Sequence, residues 1–218
     1  RTLCDATQNP DCPGDDCPCV DDTIEVIFDA NDTNLMQYDT FVQDMEIAVT
    51  IWTNTATFDD SGENPIGVQG WSYGIQHNVD ELDLVVDTVT TDGTTAGDTI
   101  SGGFDATNQI DIETCITADP ADCPKVPTAG ERVADGGGWI SAVVLSLMEP
   151  IVLPLGRNSI AKAGYTLKVD VGATGTQILV SDRMAKKNSP PTDINVTVDG
   201  KSKMYAIAKD GLVKGGDV

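Results

Sequence analysis

Apolar and polar residues alternate at every second position in one short segment after another along this chain. A segment with that period can bury one face only as a β-strand, because successive side chains of an extended chain point to opposite sides. The alternation predicts strands over Thr23–Asp29, with Ile24, Val26 and Phe28 on one face, and over Phe41–Thr53, with Met45, Ile47, Val49 and Ile51 opposite Trp52. It continues in Gly67–Asn78, where Trp71, Tyr73 and Ile75 alternate with Gly70, Ser72 and Gly74, and then in Leu82–Val89, Thr99–Phe104 and Gln109–Ile116. Gly138–Met148 is apolar on both faces, the pattern of a central strand covered on both sides. Ser159–Val171 places Tyr165, Leu167, Val169 and Val171 inward and Thr166, Lys168 and Asp170 outward. Thr176–Ser181, Asp193–Val198 and Ser202–Ala208 complete the set. Ser61-Gly62, Asp92-Gly93, Gly172, Pro190-Pro191 and Asp199-Gly200 punctuate it as turns, the last joining a hairpin across two residues.

About ten short strands without alternating helices predict an all-β fold, a β-sandwich of immunoglobulin-like or jelly-roll topology. Residues 1–22, rich in Cys, Asp and Pro and without hydrophobic period, read as an extended N-terminal arm. The sandwich then occupies residues 23–208, and residues 209–218 read as a C-terminal tail.

Charge narrows the partners. Between Thr2 and Pro124 there are 26 Asp and Glu residues and no Lys or Arg, and the whole chain carries −22. Nucleic acid is excluded, because phosphate contacts need clustered base. An anionic membrane surface is disfavoured on the same ground, and insertion is excluded because no run of eighteen apolar residues exists. Such a surface stays solvated in salt; it also suits cation uptake by acidic loops or the steering of oppositely charged subunits.

Six cysteines place the chain outside the cell. Cys4, Cys12, Cys17 and Cys19 crowd the arm, and Cys115 and Cys123 share one Pro/Asp-rich excursion. An even count in a chain that starts at Arg1, as after a processing cut, predicts disulfides and secretion. Cys115 and Cys123 most simply pair with each other; the first four allow three pairings. Zinc is the alternative for those four, but their spacing lacks the paired CxxC of a zinc site.

Catalysis has no specific support. Gly70-Trp-Ser-Tyr-Gly74 matches the G-x-S-x-G of a nucleophile elbow, yet an elbow needs a strand, a turn and a helix, and here the alternation runs on through Ile75. The single histidine, His77, lies five positions from Ser72, on the opposite face of a strand, and reads as a polar strand terminus. Calcium has better candidates. Asp29, Asn31 and Asp32, and separately Asp59, Asp60 and Glu63, cluster hard oxygen ligands beside turns, although neither loop completes an EF-hand. Trp52, Trp71 and Trp139 offer a sugar-stacking platform or, in strands this apolar, core packing. The sequons at Asn31 and Asn195 imply surface exposure.

The stretch Val68-Gln-Gly-Trp71-Ser-Tyr-Gly-Ile-Gln-His77-Asn, followed by the Leu/Val strand at 82–89, resembles secreted bacterial β-sandwich domains related to cohesins and carbohydrate-binding-like folds. Gly137-Gly-Trp139 and Pro190-Pro-Thr-Asp193 are similar to the same group. The resemblance covers about residues 23–208 and implies a secreted sandwich without catalytic residues. No dockerin-type Asp-x-Asn-x-Asp-Gly calcium loop follows it in this sequence.

These readings converge on a non-catalytic extracellular structural protein, a self-assembling subunit of a surface fibre, filament or coat. Its partners would be copies of itself, reached through the arm at residues 1–22. The alternative is a carbohydrate-binding or cohesin-like protein-docking module.

Overall fold

The computed structural model describes residues 23–29, 32–55, 67–100, 110–111, 137–145, 151–154, 156–181, 192–198, 201–203 and 207–216. In chain order these form β1 (Thr23–Phe28), β2 (Leu35–Tyr38), β3 (Glu46–Thr55), β4 (Gly70–His77), β5 (Leu82–Thr90), the short helix α1 (Thr95–Ile100), β6 (Ile110–Asp111) and β7 (Gly138–Val144). β8 (Gly156–Leu167), β9 (Thr176–Ser181), β10 (Asn195–Val198), β11 (Lys201–Lys203), β12 (Ile207–Lys209) and β13 (Gly211–Gly215) follow.

Two sheets enclose one core, so the chain is the predicted all-β sandwich. The five-stranded sheet runs β12-β1-β3-β8-β5, and the eight-stranded sheet runs β11-β10-β4-β9-β13-β2, with β7 beside β4 and β6 beside β7. β4 is the hub of the larger sheet. One of its edges is shared end to end by β10 and β9, and the other is covered along its length by β7. This explains why Gly138–Val144 is nearly all apolar: it is paired on both edges, and Trp139 points into the core with no exposed surface.

The alternation in the sequence maps onto this core directly. Ile24, Val26 and Phe28 of β1, Ile47, Val49 and Ile51 of β3, and Trp71, Tyr73 and Ile75 of β4 are all buried. Polar groups that enter find partners. The Trp139 indole N–H donates to Tyr165 Oη at 3.2 Å, and the Trp71 indole N–H donates to Ser141 Oγ at 3.1 Å. Tyr73 meets Trp139 edge-on at 5.8 Å between ring centroids, an arrangement favoured by the ring quadrupoles.

Four expectations need correction. Thr99–Phe104 is not a strand where it is described: Thr99 and Ile100 close α1. The β-branched residues read as strand, but Thr94 caps the helix by accepting the Gly97 N–H at 3.1 Å, and Ser159 Oγ accepts the Thr95 N–H at 2.9 Å. Val169 does not point inward, because β8 ends at Leu167 and the following turn releases it to solvent. Ser202–Ala208 is not one strand. Lys201–Lys203 forms the hairpin partner of β10, with Val198 opposite Lys201, whereas Ile207–Lys209 pairs with β1 in the other sheet.

The fourth correction is the largest. Residues 209–218 read as a tail, yet Lys209 ends β12 and Gly211–Gly215 is β13, inserted between β9 and β2 with Val213 fully buried. Only Asp210 separates the two strands, and its carboxylate accepts the Val180 N–H at 2.8 Å. A five-residue segment with a glycine at each end and only two apolar residues lacks the composition of a strand, and tertiary pairing supplies what propensity does not. The end glycine is required there: a Cβ on Gly215 would stand 2.2 Å from the Val171 carbonyl oxygen.

Candidate docking surface

The catalytic and metal candidates of the sequence separate in space or fall outside the described residues. Ser72 sits within an unbroken strand and donates its hydroxyl to the Asp193 carbonyl at 2.8 Å. His77 is not an exposed terminus: it is buried at the end of β4, with its ring edge-on to Tyr165 at 5.0 Å. Trp71 and Trp139 belong to the core, which leaves Trp52 alone and half-buried on the outer face of the five-stranded sheet. No platform of three tryptophans exists.

Of the proposed calcium ligands, Asp29 accepts a hydrogen bond from Thr50 Oγ1, and Asp32 is paired with Arg157 at 3.0 Å. Asn31, Asp59, Asp60 and Glu63 lie outside the described residues, as do all six cysteines and the arm at 1–22. Among the described residues no three His, Cys, Asp or Glu side chains come together as a metal site. Asn195 is half-buried within β10 rather than freely exposed.

Two regions carry unusual side-chain arrangements. The first is a polar lock on the outer face of the five-stranded sheet. Glu25 of β1 is almost fully buried there. Lys209 of β12, its backbone neighbour, reaches the carboxylate at 2.5 Å, and Thr23 Oγ1 donates to the same oxygen at 2.7 Å. Arg157 stands 4.0 Å from the other oxygen, pairs with Asp32, and lies over the Trp52 ring at 4.5 Å. Burial alone pushes the Glu25 carboxyl upward; the hydrogen bonds from Lys209 and Thr23 and the two positive charges outweigh it and hold the group below its ordinary value.

The second region is the end of the sandwich built from the β2–β3, β4–β5 and β8–β9 loops. These loops are laced together. Val171 N–H donates to Phe41 O at 3.0 Å, Asp44 N–H to Leu167 O at 2.8 Å, and Gln43 N–H to the Asp170 carboxylate at 2.8 Å. Lys168 donates its backbone N–H to Glu81 O and its ammonium to Val79 O, at 2.8 and 2.6 Å. β13 closes the base, where Gly172 O accepts the Gly215 N–H at 3.1 Å. Asp44 adopts φ 66°, a left-handed conformation that Asp tolerates better than most residues.

This rigid end leaves apolar side chains in water. Val42 is 54% exposed, Val169 41%, Tyr38 39% and Val79 37%. Among the described residues the other large exposed apolar side chains, Leu35 and Val85, stand singly on the edge strands β2 and β5. Sequence reasoning missed this set, and the signal for it was faint. Val79-Asp80-Glu81 places a valine next to acid outside every predicted strand, whereas Val42 and Val169 fell inside the strands predicted over Phe41–Thr53 and Ser159–Val171 and so did not stand out.

No protein-family model matches the sequence, and no curated protein matches it. Cohesin modules are among its neighbours in solved structures. The sixth cohesin of scaffoldin B from Acetivibrio cellulolyticus, in complex with a Cel5 dockerin variant, aligns over 90% of this chain and 99% of its own, at 8% identity and a TM-score of 0.49. A cohesin module from a Clostridium perfringens family 33 glycoside hydrolase aligns over 89% and 99%, at 10% identity and 0.44. The Clostridium thermocellum OlpC cohesin, in complex with a dockerin, aligns over 91% and 98%, at 11% identity and 0.43.

Proposed function

We propose that the chain is a non-catalytic module of the cell exterior that works by docking another protein. The observation that carries the reading is the laced loop end, where three loops hold Val42, Val79 and Val169 exposed on a rigid frame. Exposing apolar side chains on loops that hydrogen bonds keep from collapsing is the arrangement of a recognition surface. Ser72 and His77 meanwhile are spent on structure, one on a strand contact and one on core packing. The fibre-subunit reading had rested on the arm at 1–22, and the described residues add nothing to it; docking takes its place as the main reading.

The test has two arms. Sedimentation velocity and negative-stain microscopy of the purified chain should show monomers at high concentration, and filaments would restore the fibre reading. Biolayer interferometry against purified extracellular proteins of the same organism should give saturable binding to at least one. Binding to none would overturn the docking reading.

A further inference from the structure

Charge around the exposed valines indicates what they would accept. Asp39, Asp44, Glu46, Asp80, Asp83 and Asp170 are all exposed at the loop end or on the first residues of the strands that leave it. Glu46 and Asp83 flank Thr166 from either side in the register of β3, β8 and β5, so the carboxylates extend from the loops onto the sheet face. Lys168 is the one cation in residues 38–45, 78–81 and 168–175, and its ammonium is held by the Val79 carbonyl. The surface is therefore aliphatic at its centre and anionic at its rim.

We infer that this end binds a protein segment that presents an aliphatic anchor bracketed by Lys or Arg. The inference rests on the docking reading above and specifies its partner and its site. A neutral apolar segment would bury the valines but leave the rim carboxylates desolvated without a counter-charge, a costly outcome. A basic segment lacking an aliphatic anchor would gain only screened surface attraction. The two properties together satisfy both parts of the surface, with apolar contact at the centre and complementary charge steering the encounter. The same carboxylates repel anionic lipid headgroups and nucleic acid.

A displayed random dodecapeptide library, panned on the whole chain at low salt, tests this. Enriched sequences should combine Leu, Ile or Val with flanking Lys or Arg. A synthetic peptide from the enriched pool should bind at least tenfold more weakly to the Val42→Asp/Val169→Asp chain, and several-fold more weakly to Asp80→Asn/Glu46→Gln. Replacing its basic residues by Glu should abolish binding, and ~1 M salt should weaken it, because the Debye length contracts to about 3 Å. All four positions are exposed, so circular dichroism should show both variants folded. No enrichment, or enrichment of acidic or purely polar peptides, would overturn the inference. Peptides that bind the valine variant equally well would also overturn it while leaving docking at another surface standing. A photoreactive p-benzoylphenylalanine in place of Val169 adds a second readout. A cross-link to the bound peptide is expected, and one to residues 112–136 of the same chain would show that the valines already have cover.

Discussion

The polar lock around Glu25 and the loop end around Val169 solve opposite problems with similar materials. Both join segments distant in sequence, and both rely on charged side chains. At the lock, Glu25, Lys209, Arg157 and Asp32 satisfy one another, and Trp52 is covered by a guanidinium. At the loop end, hydrogen bonds to backbone groups use up Lys168 and Asp170, while the valines and most carboxylates remain turned to solvent. An ion cluster whose members pair internally contributes to holding strands together and has little left for a partner. A surface whose backbone is satisfied and whose side chains are turned to solvent keeps those side chains available for contact.

The contrast breaks most severely if the C-terminal strand is not what holds the loop end in place. Val213→Asp would place a charge between β9 and β2 with no partner, a loss of more than about 4 kcal/mol by the cost of unpaired buried charge. Urea denaturation should show the variant unfolded or nearly so; a native-like midpoint would return residues 211–215 to the status of a tail. Gly215→Ala is gentler. Its Cβ meets the Val171 carbonyl, so the strand or the β8–β9 loop must shift, at roughly 1–3 kcal/mol for overpacking. The cost should fall on the loop end, visible as faster amide hydrogen exchange at Gly215 and Gly175 than at residues 24–28.

At the other region, Glu25→Gln should cost about 1.5–3 kcal/mol at neutral pH, the range for losing hydrogen bonds to charged groups. The sign of its pH dependence follows from the lowered carboxyl. A group whose folded pKa lies below its ordinary 4.5 contributes stability that is fully present above that value and is lost as pH falls through the folded pKa. The gap between wild type and variant should therefore be constant from pH 7 to about 5 and close in more acid solution. A gap that does not depend on pH would mean that Glu25 acts by packing alone.

The smallest effect on stability sharpens the contrast most. Val42→Asp and Val169→Asp should each change unfolding free energy by less than about 0.5 kcal/mol, as exposed substitutions do. Equal destabilisation by these changes and by Glu25→Gln would erase the difference between the two regions.

Period-2 alternation and turn signals by themselves determined that this chain is a two-layered β-protein, and they placed most core residues correctly, from Ile24 and Val26 to Tyr165 and Leu167. Side-chain periodicity is local, so a strand that buries one face announces it within a few residues. The same local evidence gave the disposition of Ser72 and His77 on opposite faces of one strand. Only the tertiary structure decided where β13 goes, because a glycine-rich strand takes its place from neighbours that lie 33 to 177 positions away in the chain. It also decided that Glu25 is paired with Lys209 and Arg157, residues more than 130 positions distant, and that Asp32 serves an arginine. Val169 continued the alternation of β8 in sequence, and the strand ended two residues too soon for it to matter. Pairing partners and loop geometry are non-local properties, and the valines at the loop end became a surface only when three separate loops met.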